Sequence, residues 1–484
     1  MINTNEGAKQ FEHTLDHALE FFSKAGSLFT NKQSFYDNEE TALSLFQKTW
    51  IVDPIVSFKL LLWLRDCRGG SGNRSAFREC VTWLAENDPW LVAQNIEWIP
   101  EVGRWDDLRS LFNTSLEKKA ADIWANKIKD ADVLAAKWAD RKDKPLKHAL
   151  GIKEEGKFRK LLANIRKNHI VEHKMSTRRW NEIDYHTVPS LAMARYTNAF
   201  KNNDTERFEK YMEDLKNGKT TVNADVLFPH DCVRTALNGQ DEIADAQFES
   251  LPNYMEGTDE RVITICDTSG SMSINVAGSI RAVEVSQGLA LYCSSKLSED
   301  NPFYKKFIGF CSESEFKDWN GLRFSDAIEH RNIFDRAIGA TRIDLALKSI
   351  LHMAKFFNLS SDQMPTTLLI VSDMQFHHGC YWTDETEVNR VMKEWEDSGY
   401  NRPKIVYWNV AGYAGSPETK MGNNIALVSG FSPSVLKAIF TGEDLSPIGI
   451  MKKTIEKYDI KINKYITPPI VLNWSFCVYY NIIM

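Results

Sequence analysis

The sequence predicts two parts of different fold class: a helical first half of HEAT-like repeats, then a doubly wound, mostly parallel α/β sheet. Apolar residues in the first half recur at helical spacing. From about residue 260, short apolar runs alternate with helical segments, which is typical of a parallel sheet covered by helices. Of the 484 residues, 43% are hydrophobic and 26% charged, a composition that excludes a disordered, fibrous or membrane-spanning chain.

The helical elements begin and end at recognisable signals. Ile55, Phe58 and Leu62 share one helical face after Pro54, which suits a first turn. The segment stops at the glycine-rich stretch 69–72, and further amphipathic stretches follow up to residue 100. No fixed internal period accompanies them, so the repeats are an expectation about architecture.

The second part is predicted from its strands. Apolar runs at 261–266, 307–311, 366–372 and 405–410 predict strands, and helical segments lie between them and at 435–440. We therefore expect a helical region over 1–255, an α/β domain over 256–465 and a C-terminal tail over 466–484. In such sheets ligands bind beyond the carboxyl ends of the strands.

Cellular context follows from the cysteines and from the chain ends. The eight cysteines form no CxxC pair and no zinc-like cluster, which favours a reducing compartment and a cytoplasmic protein. The polar, charged N-terminus does not resemble a secretory signal. The uncharged tail contains Pro468 and Pro469 and lacks a run of about 18 apolar residues, so we expect a terminal strand or loose tail and no membrane anchor.

One group of side chains predicts a metal site. Asp267, Ser269 and Ser271 follow the first strand at alternate positions, Thr341 precedes a helix, and Asp373 follows the strand at 366–372. Hard oxygen ligands with few charges are what Mg²⁺ prefers, and Mn²⁺ is the alternative ion. For the first three residues alone, capping of a helix is an equally good interpretation. The matching positions of Thr341 and Asp373 favour metal.

These five residues, in this order, resemble the metal-ion-dependent adhesion site (MIDAS) of von Willebrand factor A domains. The resemblance covers about 259–465 and implies that Asp267, Ser269, Ser271, Thr341 and Asp373 leave one metal position open. It implies that a protein partner's Asp or Glu completes the shell, so we expect binding and no enzyme. His377 and a second histidine at 378 follow Asp373, and a loop role is the expectation for both.

Four further segments resemble an uncharacterised family of viral and plant genomes, domain of unknown function 2828, which carries an A-type domain at its C-terminus. They are LRDCRGGSGNR (64–74), IPEVGRWDDL (99–108), KMSTRRWNEIDYHTVPSLAMARY (174–196) and LFPHD (227–231). Helical repeats followed by an A domain are also similar in architecture to the Ro 60-kDa autoantigen, which implies binding of small structured RNAs. That similarity is an analogy of architecture only.

A basic stretch predicts a nucleic-acid surface. Residues 137–180 contain fourteen Lys and Arg against five Asp and Glu, although the whole chain has a net charge of −6. Aromatic residues that could stack on bases interleave with it, namely Trp138, Phe158, Trp180 and Tyr185. The alternative is a solvated helical face. The candidate contacts to structured or single-stranded RNA are Lys157, Arg159, Lys160, Arg166, Lys167, Lys174, Arg178 and Arg179.

Two catalytic patterns are weak. His169 and His173 spell HxxEH with Glu172, and on one helix face they could hold zinc. The stretch at 151–158 mimics a P-loop but lacks its final Ser or Thr. The leading hypothesis is therefore a ribonucleoprotein-like binding scaffold. The alternative is a protein-interaction adaptor without nucleic acid, serving an ATPase or another complex, and a metal-dependent hydrolase comes last.

Overall fold

The protein is described by a computed structural model. The described residues are 2–4, 8–28, 41–167, 169–224, 226–330, 333–334, 341–377, 386–412, 416–417, 424–441 and 446–462. The predicted tail at 466–484 and the histidine at 378 lie outside them. No helix in these ranges is long and apolar enough to cross a lipid bilayer.

The first half is helical, as predicted. Its α-helices are mostly short and pack on their neighbours in sequence. They are α1 His17–Lys24, α2 Ala42–Val52, α3 Pro54–Arg65, α4 Arg74–Asn87, α5 Trp90–Asn95, α6 Trp98–Val102, α7 Glu117–Lys129, α8 Val133–Trp138, α9 Lys144–Ala149, α10 Glu155–Arg166, α11 Val171–Ser176, α12 Ser190–Asn203, α13 Thr205–Lys216, α14 Pro229–Leu237 and α15 Asp241–Glu249. Two two-residue strands, β1 Ile2–Asn3 and β2 Lys9–Gln10, pair antiparallel before them.

Side-chain caps fix where the helices begin. The Asp53 carboxylate accepts hydrogen bonds from the backbone N–H groups of Ile55 and Val56, with Pro54 as the first residue of α3. Asn73 caps α4 in the same way by accepting from Ala76 N. The glycine-rich stretch between these helices is therefore a helix stop followed by a capped start.

The second half is an α/β layer structure. Its strands are β3 Val262–Asp267, β4 Asn275–Ala277, β5 Ile280–Arg281, β6 Lys306–Phe310, β7 Ser314–Asp318, β8 Thr367–Ser372, β9 Lys404–Asn409 and β10 Ile425–Ser429. Its helices are α16 Ala282–Ser295, α17 Phe324–Glu329, α18 Ile343–Phe356, α19 Glu387–Asp397, α20 Val435–Thr441 and α21 Pro447–Ile455.

Six of these strands form one sheet in the order β10-β9-β8-β3-β6-β7. All neighbours are parallel except β6 and β7. Every residue of β3, β8, β9 and β10 is buried, as expected for a sheet covered on both faces. The predicted fold class is confirmed. Since β3 lies between β8 and β6, the segments that follow these three strands meet at one edge.

The first helices of the chain pack against the end of the sheet that is formed by β9 and β10. Ser27 Oγ, just beyond α1, donates to the carbonyl of Asn409 at 2.6 Å, and Ser429 Oγ of β10 donates to the carbonyl of Phe22 at 2.7 Å. Asp66, after α3, accepts from Lys457 Nζ and Tyr458 Oη, both at 2.8 Å. One apolar core therefore runs from the first helices into the sheet.

A second, smaller core lies apart from the first. It is formed mainly by α12, α13 and the segment between α11 and α12. Its buried members are Val171, Ile183, Tyr185, Val188, Met193, Phe200, Phe208, Tyr211, Leu215, Val222 and Ile243. The helical half thus has two separately packed groups of helices.

Candidate functional site

The first element of the candidate metal site is the turn after β3. Asp267 ends the strand and is fully buried. Its Oδ1 accepts from Ser269 N at 2.9 Å, and the Ser269 and Ser271 hydroxyls are hydrogen bonded at 3.0 Å. A short 3₁₀ turn, Gly270–Ser273, carries the chain away from the sheet. The three alternate positions therefore present their oxygens at one place.

Asp373 lies beside this turn because β8 is the neighbour of β3. It directly follows β8 and is fully buried, and its Oδ1 accepts from Gln375 N at 3.0 Å. The hydroxyl of the preceding Ser372 donates to Asp267 Oδ2 at 2.5 Å. Burial and the neighbouring carboxylate of Asp373 raise the pKa of Asp267 to about 7, although hydrogen bonds from Ser372 and Ser269 oppose them.

Thr341 reaches the same edge from the loop beyond β6. The following residue, Arg342, donates its N–H to the carbonyl of Cys311 at 3.1 Å, and Thr341 is 1% exposed. Its own N–H donates to His377 Nδ1 at 2.6 Å, and His377 N donates back to its carbonyl at 2.9 Å. The loop of Thr341 is thus joined to the segment that follows Asp373, and His377 has the loop role expected for it.

The side chains at this edge fit a hard divalent cation. The carboxylates of Asp267 and Asp373 and the hydroxyl groups of Ser269, Ser271 and Thr341 make a donor set of oxygen alone. In the described part of the chain, no group of three or more His, Cys, Asp or Glu side chains is placed to hold a metal.

The predicted basic surface divides into paired and unpaired side chains. Lys157 is bound to Glu154 at 2.7 Å, Arg179 to Glu182 at 2.9 Å, and Lys174 Nζ to the carbonyl of Glu182 at 2.7 Å. Arg166 is half-buried, and its Nε donates to the carbonyl of Leu162 within α10. Four exposed side chains have no ion-pair partner among the described residues: Arg159, Lys160, Lys167 and Arg178.

The aromatic residues of this stretch are in the wrong place for stacking on bases. Phe158 and Tyr185 are 0% and 4% exposed, so the prediction that they stack on bases is wrong. Trp180 packs edge-on against Phe200. One face of Trp138 is covered by the guanidinium of Arg104, whose carbon lies 3.8 Å from the ring centre. The sequence showed that these aromatic residues alternate with basic ones, but it did not show which of them would be packed inside the fold.

Comparison with known proteins places the chain in a family. The family described as Domain of unknown function (DUF2828) matches residues 4–157 and 139–263, more than half of the chain. The chain belongs to the DUF2828 family. A second family, Domain of unknown function (DUF7788), matches residues 261–473, which span the α/β sheet.

Two individual proteins resemble this DUF2828 protein over most of its length. An uncharacterised protein of Acanthamoeba polyphaga mimivirus is 26% identical over 519 residues, covering 94% of this chain and 87% of the relative. The crystal structure of the Deinococcus radiodurans Ro (RSR) protein matches with a TM-score of 0.47 and 11% identity, covering 91% of this chain and 99% of that one.

The HxxEH pattern does not form a helix-borne zinc site. His169 lies in the turn after α10, whereas His173 lies inside α11, so the two rings do not share one helix face. Glu172, between them, is 3.4 Å from Lys137 Nζ. The P-loop mimic at 151–158 follows a helix, α9, where a P-loop follows a strand, and its second half is the first turn of α10. Both patterns are therefore local helix connections.

Sequence reasoning missed a cluster of arginines and aspartates in the helical half. Asp107 is fully buried and accepts from Arg65 Nε at 2.8 Å, Arg78 Nε at 2.7 Å and Arg104 N at 2.9 Å. Asp106 accepts two hydrogen bonds from the Arg104 guanidinium, each at 2.9 Å. The acidic pair in WDDL (105–108) was the available signal, but two of its partners, Arg65 and Arg78, lie 42 and 29 positions from Asp107.

Proposed function

We propose that this DUF2828 protein is a non-catalytic binding protein whose α/β domain holds a partner's carboxylate through Mg²⁺ or Mn²⁺. The observation that carries the proposal is the meeting of Asp267 and Asp373, both fully buried, at the carboxyl edge of a parallel sheet. Two adjacent buried carboxylates repel each other when both are ionised, and a bound cation relieves that repulsion.

The five proposed ligands differ in the charge that they supply to the site. Asp267 and Asp373 supply the negative charge, and Ser269, Ser271 and Thr341 supply neutral oxygens. A bound divalent cation supplies the positive charge that attracts an acidic side chain of the partner. The hydrogen bonds between Thr341 and His377 hold the loop of Thr341 in place, so His377 is a positioning residue of the proposed site.

The same geometry favours binding over turnover. A hydrolase needs a nucleophile or a bound water within reach of a general base. Among the described residues, His377 is the histidine at this edge, and its Nδ1 accepts a hydrogen bond from the N–H of Thr341. We therefore expect phosphatase, nuclease and peptidase assays to stay at background with Mg²⁺ or Mn²⁺ present.

The test is metal binding by the full chain and by one variant. Isothermal calorimetry with MgCl₂ or MnCl₂ should give one site in the wild type and none in Asp267→Asn. Asp300→Asn is the matched control, because Asp300 is an exposed aspartate of the same domain. An affinity pull-down should lose its partner on addition of EDTA and in Asp267→Asn. Equal metal binding by all three proteins would refute the proposal.

A second candidate function, binding of RNA by the helical half, rests on the four unpaired basic side chains. Arg159, Lys160 and Lys167 lie on or directly after α10, and Arg178 follows α11. All four are exposed, so contact with phosphates would release their counterions without breaking an ion pair. The partner is a structured or single-stranded RNA. We expect little base specificity, because the aromatic rings nearby are packed inward or covered.

Fluorescence anisotropy tests this second function. A labelled single-stranded RNA and an RNA hairpin are titrated with the full chain over a series of KCl concentrations. Replacing Lys160 and Lys167 together by Glu should weaken binding and reduce the log–log salt slope by about 0.7 per lost single-strand contact. The control, Lys355→Glu with Lys452→Glu, reverses two exposed charges of the α/β domain. Absence of salt-sensitive binding by the wild type would leave the adaptor function in first place.

A further inference from the structure

Two of the segments that resemble the family meet in the fold. Arg74 ends the first segment and begins α4, and Arg104 lies in the second, directly before a 3₁₀ turn Trp105–Leu111. Arg78 lies one helical turn after Arg74, on the same face of α4. Its Nη2 is 2.9 Å from Asp106 Oδ2, the carboxylate that Arg104 also holds. The guanidinium groups of Arg78 and Arg104 therefore share one aspartate.

The aspartates hold two of these guanidinium groups in fixed positions. Arg104 binds Asp106 through two nitrogens while its plane lies on the ring of Trp138. Arg78 is shared between Asp106 and Asp107. A guanidinium that is held in this way needs little further ordering to bind a phosphate with its remaining N–H groups.

Positive charge is in excess around Arg74. Two carboxylates, those of Asp106 and Asp107, serve Arg65, Arg78 and Arg104, and Arg74 has no hydrogen bond or ion pair among the described residues. Partial desolvation and the positive charges of Arg104 and Arg78 lower the pKa of Arg74. Arg74 is exposed, and it is the first residue of a 14-residue helix, whose dipole adds further positive potential.

We propose that Arg74, Arg78 and Arg104 form a binding site for the backbone phosphates of single-stranded RNA. This inference rests on the second proposed function and names a different contact region for it. The site adjoins the basic stretch, because Arg104 lies on Trp138 and Arg109 Nη2 donates to the carbonyl of Trp138 at 2.6 Å. A single-stranded RNA bound there would have phosphate contacts both at α4 and along α10.

The experiment uses the full chain and a fluorescein-labelled oligouridine RNA of roughly 20 nucleotides, longer than a typical single-strand binding site. Arg74→Gln removes the unpaired guanidinium, and Arg74→Glu reverses it. We expect anisotropy to show affinity lowered about three- to tenfold for Arg74→Gln and more for Arg74→Glu, with the log–log salt slope smaller by about 0.7. Arg195→Gln is the matched control, an exposed arginine of α12.

A second measurement does not depend on RNA. Sodium phosphate should raise the melting temperature more than sodium chloride of equal ionic strength does, and this difference should be larger in the wild type and Arg195→Gln than in Arg74→Glu, which keeps only the general stabilisation by an excluded anion. If the wild type binds the RNA and both Arg74 variants bind as tightly as Arg195→Gln, the inference fails and RNA binding stands. If the wild type binds no RNA in any salt, both fail together, and the cluster is a structural ion-pair network.

Discussion

The sheet-edge site and the arginine cluster show opposite ways of burying aspartates. At the sheet edge, the parallel strands β3 and β8 bring Asp267 and Asp373 together, and the groups bonded to Asp267 are hydroxyl and amide donors. In the helical half, Asp106 and Asp107 are neighbours in sequence, and arginines from α3, α4 and the loop before residue 105 surround them. The first site needs positive charge, whereas the second has it in excess.

The difference underlies the ligand that we propose for each region. Burial and Asp373 raise the pKa of Asp267, whereas hydrogen bonds from Arg78 and Arg104 lower the pKa of Asp106 against the opposing effect of its burial. An aspartate with a raised pKa is held at a cost that a cation relieves. A lowered pKa indicates that the hydrogen bonds from Arg78 and Arg104 already stabilise the ionised carboxylate of Asp106.

The largest expected effect is at Asp107. Asp107→Ala should lower the free energy of unfolding by about 3–5 kcal/mol, because it leaves the buried Arg65 guanidinium without its partner. Urea denaturation followed by circular dichroism measures the change. The control is Asp122→Ala, which breaks an exposed pair with Lys118 and should cost less than about 1 kcal/mol. A cost of that small size at Asp107 would show that the cluster does not hold the helices together.

At the carboxyl edge of the sheet, loss of an aspartate should change the free energy of unfolding in the opposite direction. In EDTA, Asp267→Asn should raise the free energy of unfolding by about 1–3 kcal/mol, because it removes one of two buried carboxylates. The new amide keeps an oxygen that can accept from Ser269 N, and its N–H can donate to the Ser372 hydroxyl. With Mg²⁺ at 100 times its dissociation constant, the wild type should gain about 2.7 kcal/mol and the variant nothing. Urea midpoints measured with EDTA and with MgCl₂ give both quantities. A less stable variant in EDTA would contradict the unrelieved repulsion that we infer.

The same contrast explains what the sequence could predict. The strands β3, β6, β8 and β9 were predicted because strands of a sheet covered on both faces are apolar runs, although β10, which is equally buried, was missed. Strand β7 was missed because it is the outermost strand of the sheet, where its residues are only half-buried or exposed and do not form an apolar run. The five side chains of the sheet edge could be grouped from sequence because strand ends in a parallel sheet meet at one edge.

No comparable rule places helix partners. The contact between Arg65 and Asp107 spans 42 positions and depends on how α3, α4 and the turn at 105–111 pack. Phe158 and Tyr185 were predicted to meet bases for the same reason: helical spacing shows that a residue is on a face, but not which face is covered. The basic stretch and its acidic neighbour Glu182 were visible as charges, whereas the particular ion pairs of Lys157 with Glu154 and of Arg179 with Glu182 were not.

A glycine tests how tightly the cluster is packed. Gly103 has φ −130° and ψ −120°, and a Cβ there would lie 2.7 Å from Arg65 Nε and closer still to Asp107 Oδ2. Gly103→Ala should therefore cost about 1–3 kcal/mol by displacing the buried ion pair. Gly156→Ala is the control, since a Cβ at Gly156 meets nothing within 4 Å. Equal unfolding free energies for the two variants would mean that the ion pair shifts without cost.

The smallest effect concerns Arg74, where binding and stability should change in opposite directions. Arg74→Glu places a carboxylate one turn before Arg78, beside Arg104 and at the start of α4. It should raise the free energy of unfolding by about 0.2–0.5 kcal/mol, because exposed pairs at this spacing contribute little. Arg74→Gln removes repulsion without adding attraction and should lie between it and the wild type. Melting temperatures at low and high salt measure the series, and the order should disappear as salt screens the charges. If Arg74→Glu is less stable than Arg74→Gln at low salt, the surroundings of Arg74 are not positive, and the cluster has no excess charge to hold a phosphate.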